Sequence, residues 1–177
     1  SIRTGLTGVA VLVALANAGC SDAVTPRDHA SAQILVATGV RLAEAGDLDS
    51  AAAQFVRAAE LDPTNADAHY RLAMVREYES DLAAAVAGYE RALAQDSTHA
   101  PAHLNVGQLY GRQGEYEIAF EHLEAALRHT QEQEIRAVCH YCFGMIWGIR
   151  GDASQAADAY GQAIQLDSTF ARAYVAR

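Results

Sequence analysis

The sequence predicts an all-α fold built as an array of repeated helical hairpins. Three observations predict it. Residues 100–133 (APAHLNVGQLYGRQGEYEIAFEHLEAALRHTQEQ) hold two amphipathic segments joined by a tight turn at Gly114, and the same pattern stands before and after them. The composition is rich in Ala, Leu, Glu, Gln and Arg with only 3 Pro, which favours helix. Val, Ile and Thr do not gather into alternating runs, so no sheet signal is present.

Length and charge narrow the function classes. The 177 residues suffice for one substantial domain or a stack of small repeats. The formal net charge is -9, all 13 basic residues are Arg, and none of them form a run. A nucleic-acid surface needs a Lys/Arg stripe to neutralise phosphates, so that class is excluded as a partner. The chain starts at Ser1 rather than Met and stops in mid-pattern at Arg177, so both ends are expected to lack sequence.

Taken in order, residues 1–20 (SIRTGLTGVAVLVALANAGC) have the layout of a secretory signal peptide. Arg3 precedes an apolar run from about Leu6 to Ala16, and small residues follow at Ala16, Ala18 and Gly19. The run is shorter than the ~20 residues a comfortable membrane span needs. Two processing readings stay open. Ala16-Asn17-Ala18 fits a small-x-small cleavage site. Ala18-Gly19-Cys20 resembles the end of a bacterial lipobox, in which Cys20 would be lipidated, although Asn17 stands where that pattern prefers an apolar residue. Either reading places the mature protein outside the cytoplasm, in the periplasm or cell envelope. Residues 21–31 contain Pro26 and no periodicity, and read as a linker.

From Ala32 onward the units superpose. Residues 32–65, 66–99 and 100–133 align without gaps, 137–170 aligns after three extra residues (Glu134 to Arg136), and 171–177 starts a fifth unit. Their eighth places hold Gly39, Ala73, Gly107 and Gly144, which must be small because two helices cross closely there. The twentieth places hold Ala51, Ala85, Ala119 and Ala156, and the twenty-seventh hold Ala58, Ala92, Ala126 and Ala163, on faces pressed against a neighbouring helix. Phe55, Tyr89, Leu123 and Tyr160, at the twenty-fourth places, are the bulky knobs that fill the space the small residues leave. Gly46, Gly114 and Gly151 suit helix C-caps, with Ser80 departing at the equivalent place. Asn65, Thr98 or Thr130 can cap the helix that follows each of them. Pro101 suits a first helical turn, where no N–H partner is lost.

A 34-residue period with these conserved spacings within the chain resembles the tetratricopeptide repeat (TPR) family. The resemblance covers residues 32–177. It implies antiparallel helix pairs stacked into a right-handed superhelical solenoid of about four units plus the start of a fifth, the first helix of each pair lining a concave groove. At the three-residue step, Thr130-Gln131-Glu132-Gln133 has capping-box spacing, so the first helix of the fourth unit is expected to start early, near Gln131, or else to follow a longer loop.

Residues with possible chemistry are absorbed by the repeat. Cys139-His140-Tyr141-Cys142 contains C-x-x-C, but the motif lies inside an expected helix with no strand before it, and no second cysteine pair completes a zinc site. Both cysteines read as small apolar fillers. His69, His103 and His140 share the fourth place of successive units, and equivalent places in stacked units stand ~10 Å apart, too far to share a metal. No nucleophile–base arrangement, Gly-rich phosphate loop or H-E-x-x-H occurs, so neither catalysis, a cofactor nor a metal is expected.

The groove face is the expected site. The resemblance directs places 2, 5, 6, 9, 12 and 13 of each first helix inward or near it. The candidate partner-binding residues are Tyr70, Arg71 and Met74 of the second unit, Asn105, Gln108, Gly111 and Arg112 of the third, and Tyr141, Met145 and Gly148 of the fourth. An exposed apolar and aromatic wall of this kind is a usual binding surface. Gly111 and Gly148 each cost about 1 kcal/mol against Ala within a helix. They either open a hollow beside Gln108, Tyr141 and Met145 or let adjacent helices pack closely. Asn105, Arg71 and Arg112 only partly match a carboxylate-gripping TPR set, because this chain has no Lys. The expected function is a non-catalytic scaffold that binds a peptide or partner segment, exported and tethered to a membrane only through its N-terminus. Bacterial TPR lipoproteins are its nearest functional company, by fold analogy. The alternative is a regulatory or positioning module of a larger protein whose catalytic or receptor domain lies beyond Arg177.

Overall fold

The computed structural model describes residues 23–168, and the leader, Cys20 and the partial fifth unit lie outside them. Among the described residues there are eight helices and no strand: α1 (Pro26–Glu44), α2 (Leu48–Leu61), α3 (Ala66–Tyr78), α4 (Leu82–Gln95), α5 (Ala100–Gln113), α6 (Tyr116–His129), α7 (Gln133–Ile149) and α8 (Ala153–Leu166). Each odd-numbered helix packs mainly on the even one after it, and each pair packs on the next pair. The result is an all-α solenoid of antiparallel helix pairs.

The turns within the pairs follow one recipe. Gly46, Gly114 and Gly151 sit at φ 84°, 85° and 81°, the left-handed region that Gly occupies without penalty. Ser80 adopts φ 66° at the equivalent place, a conformation that disfavours a side chain. The residue after each of these is the N-cap of the next helix. The carboxylates of Asp47, Asp81 and Asp152 accept from the backbone N–H of Ser50, Ala84 and Gln155 at 3.1, 3.1 and 3.0 Å. This occupies an N–H that the helix itself leaves unpaired. Between pairs, Asp62 and Asp96 each accept from the backbone N–H and hydroxyl of the Thr two residues on.

The repeat places pack as their residue types require. The alanines at places twenty and twenty-seven are buried throughout, and so are the knobs Phe55, Tyr89, Leu123 and Tyr160. A Cβ added at Gly39 or Gly144 would stand 2.5 Å from the ring of Phe55 or Tyr160. Each aromatic ring therefore rests directly on a glycine backbone.

Three helix starts differ from the expectation. The linker ends at Thr25, not residue 31, because α1 begins at Pro26. Proline is at home in a first turn, and Thr25 with Asp28 forms a reciprocal capping box there. Asn65 does cap α3, accepting from Ala68 N–H at 2.9 Å. For α5 the cap is His99, whose Nδ1 accepts from Ala102 N–H at 3.1 Å, while Thr98 is spent on Asp96. Helix α7 does start early, at Gln133, but without the expected capping box. Thr130 instead ends α6 and its hydroxyl accepts from Glu132 N–H at 3.1 Å. The three extra residues lengthen α7 to 17 residues.

Candidate functional site

The first helices form the inner wall. Helix α1 touches α3 and α5 touches α7, whereas no two second helices meet to the same extent. The side of a solenoid on which helices come closer is its concave side.

The wall has three zones. At the N-terminal end, α1 and α3 part to leave a hollow of about 650 Å³ lined by Val36, Val40, Arg41, Glu44, Asn65 and Asp67. A second hollow of about 470 Å³ adjoins it, with Val40, Phe55, Arg71, Met74, Val75 and Tyr78 in its lining. Tyr78 and Met74 project from this zone, 76% and 41% exposed.

The middle zone is polar and already engaged with itself. Tyr89, from α4, donates its hydroxyl to Glu77 at 2.9 Å and accepts from the Asn105 amide at 2.9 Å. The other oxygen of Glu77 pairs with Arg112 at 2.7 Å. Burial, reinforced by the charge of Glu77, pushes the Tyr89 phenol far above its usual range, so it remains a donor. Arg71 turns to Asp67 at 3.1 Å and lies 5.9 Å over the ring of Tyr70, which itself leans on Tyr89. Gln108 reaches Cys142 Sγ at 3.8 Å. Asn105 and Arg112 thus brace the wall between the second and third units, while Arg71 stays on its own helix and Gln108 reaches the fourth unit.

The third zone is apolar. Ile149 and Met145 are 65% and 38% exposed on α7, at the same two places of the unit as Tyr78 and Met74 on α3. A Cβ at Gly148 would meet nothing within 4 Å, so this glycine faces open space. Gly111 differs, because a Cβ there would reach ordinary contact, 3.8 Å, with Ala119 and with Ile146 of the next unit. The two glycines therefore do not share one hollow. Tyr141 is half-buried and packs on Tyr160, with ring centres 5.7 Å apart. Sequence reasoning placed Tyr78 and Ile149 on the groove face but left them out of the candidate set. It missed the α1–α3 hollow, whose signal was the small Ala37 of the first unit.

Cys139 and Cys142 are buried and not bonded to each other. Burial pushes their thiols up to about 12 and about 11, which makes them poor nucleophiles near neutral pH. Among the described residues no group of three or more His, Cys, Asp or Glu is placed to hold a metal, and no helix is long and apolar enough to cross a membrane.

The histidines give the fold a pH dependence. Burial holds His99, His103, His122 and His140 below the ordinary imidazole value. His103 and His122 also face each other, Nδ1 to Nδ1, at 3.0 Å. The folded state therefore resists protonation that the unfolded chain accepts at about pH 6.5. Stability from these groups is complete above that pH and falls as pH drops through it toward the lowered folded values. The melting temperature is expected to be level from pH 8 to 7 and to fall from about pH 6.5 downward. A His122→Gln variant should show a shallower fall, and an unchanged slope would show that the pair contributes nothing to it.

A TPR repeat family model matches residues 39–77 and a tetratricopeptide repeat model matches residues 100–128. The chain belongs to the tetratricopeptide repeat family. Solved TPR-fold structures superpose on it. PilF from Pseudomonas aeruginosa is 25% identical with a TM-score of 0.76, over 85% of this chain and 67% of that one. MamA from Desulfovibrio magneticus is 17% identical with a TM-score of 0.70, over 86% and 82%. A thermophilic TPR protein from Thermus thermophilus is 22% identical with a TM-score of 0.65, over 81% of each chain. A comparison with curated protein sequences gives no match. TPR arrays are protein-interaction scaffolds, and the helical wall built here is a scaffold of that kind.

Proposed function

We propose that this TPR array binds an extended segment of a partner protein along its inner wall, and that it does so outside the cytoplasm, tethered to a membrane by lipid on Cys20. One observation carries the binding reading. Two exposed apolar pairs, Met74 with Tyr78 and Met145 with Ile149, stand at the same places of the second and fourth units, on either side of a self-braced polar zone. A folded monomer gains nothing by holding large apolar side chains in water, so their recurrence on one wall supports a surface kept for contact. The apolar run before Cys20 supports the export reading.

The test starts from the leader-bearing chain expressed in a bacterial host. A Cys20→Ser change should move the protein from the membrane fraction to the soluble one, and an unchanged distribution would sink the lipid anchor. Partners captured from the envelope and identified by mass spectrometry are then titrated against variants. Met74→Ala with Tyr78→Ala, and Met145→Ala with Ile149→Ala, should each weaken binding by about tenfold or more, at unchanged helicity. Glu60→Ala on the outer surface should not. Loss of binding only in the Glu60 variant would move the site off the inner wall.

A further inference from the structure

The outer face of the fourth unit carries a cleft. It measures about 420 Å³ and lies between α6 and α8, with α7 as its floor. Phe143 and Trp147 form that floor beside His140, and Phe120 closes one wall, its ring stacked on Phe143 at 5.2 Å and tilted on Trp147 at 5.0 Å. Carboxylates stand on both walls, Glu124 on α6 and Asp158 on α8. Asp158 makes no side-chain hydrogen bond or ion pair with any described residue, and Glu124 has only a loose contact with exposed Arg128 at 3.8 Å.

The repeat explains why the space is open. In the third unit the equivalent floor is His103, Val106 and Tyr110, and the equivalent wall acids are Glu90 and Glu121. There the twenty-third place is His122, which fills the gap by pairing with His103 at 3.0 Å, and the Tyr110 hydroxyl donates to Glu90 at 3.2 Å. In the fourth unit the twenty-third place is Ala159, and Trp147 stands where Tyr110 does, with no hydroxyl to give Glu124. The same walls are left, without the filling.

The molecule shows what this chemistry holds. At the other end of the same aromatic cluster, the Arg150 guanidinium lies 5.5, 5.1 and 5.7 Å from the ring centres of Tyr116, Phe120 and Trp147. Its charge is met by Glu117, one turn before Phe120. Glu124 stands one turn after Phe120, facing the open end. Burial, with Arg136 nearby, holds His140 below the ordinary imidazole value, so it adds no positive charge to the cleft at neutral pH.

We propose that this cleft is a second binding site, independent of the inner wall, and that it takes an arginine side chain of a partner protein over the Phe143 and Trp147 rings with Glu124 and Asp158 on either side. Cations are attracted to ring faces, Trp most strongly, and a planar guanidinium can also be gripped by carboxylates in its own plane. The chain's net charge of -9 favours a basic partner over a longer range.

Trp147 is the only tryptophan in the chain, so its fluorescence reports on the cleft directly. The full chain is titrated with a tetra-arginine peptide and with tetra-citrulline, its neutral isostere. A saturable change with arginine and none with citrulline is expected. Glu124→Gln with Asp158→Asn should weaken the arginine response about tenfold or more. Ala159→His, which fills the cleft as His122 does in the third unit, should remove it. The charge-matched control Asp49→Asn with Glu60→Gln, on exposed α2, should leave affinity within about twofold. No saturable response, an equal response to citrulline, or equal weakening by the control pair would overturn the proposal. The last outcome would mean general attraction to an acidic surface.

Discussion

Gly107→Leu is expected to cost roughly 3 kcal/mol or more and to lower the melting temperature by about 10 °C. A Cβ at this position would lie 2.8 Å from Leu123 Cγ, 3.0 Å from its Cδ2 and 3.2 Å from the Ala119 carbonyl oxygen. Leu123 can turn a little, but it is fully buried and has nowhere to retreat. The Ala119 carbonyl belongs to the backbone of α6 and moves only if the helix does. Three further carbons beyond the Cβ must then separate α5 from α6, and that opens the core they share. Gly111→Ala, one turn along the same helix, is the matched comparison. Its new Cβ would sit at 3.8 Å from its neighbours, and alanine is the better helix former by about 1 kcal/mol. Thermal melts should therefore move in opposite directions for the two variants. A Gly107→Leu protein that melts no lower than the parent refutes the close crossing.

Removing the Tyr89 side chain is the second large effect. Its ring is fully buried, at the centre of the core that joins the second and third units. Tyr89→Ala should cost about 3–5 kcal/mol, as a large aromatic leaves a void that its neighbours only partly fill. Tyr89→Phe separates packing from polarity. The ring stays, but Asn105 loses its acceptor and Glu77 loses a donor. Groups left unsatisfied in a half-buried place cost about 1–3 kcal/mol. Urea unfolding should rank the parent above Tyr89→Phe and Tyr89→Ala last. If phenylalanine matched the parent, the Glu77–Tyr89–Asn105 chain would be ornament rather than a brace.

The sequence displayed the fold far better than the wall's chemistry. Each repeat place shows its residue type several times over, so the requirement for a small eighth residue or a bulky twenty-fourth survives any single exception. Ser80 and Ala73 depart from glycine without hiding the pattern. Pairings between side chains of different units do not recur in this way. Glu77, Tyr89, Asn105 and Arg112 come from three helices and meet once, so no period announces them. The alignment could place Asn105 and Arg112 on the inner wall, but not show that Tyr89 and Glu77 had already claimed them. The His99 cap escaped for a related reason. Histidine is an unusual N-cap residue, and Thr98 beside it has the more familiar chemistry. Pro26 resembles a break because it stands in a patternless stretch, whereas the Thr25–Asp28 spacing marks a beginning.

Among the described helices, each pair leans on the pairs next to it along the chain. Damage has no long-range route, and neither does support. Such a molecule can come apart in stages, an end pair loosening while the middle stays shut. The Glu77–Arg112 brace and the Tyr89 core lie across the seam between the second and third units, so that seam should be among the last to open. Backbone amides of α3 to α5 are then the ones that should exchange with solvent most slowly, and the array would behave less like a block than like a zipper with a stitched centre.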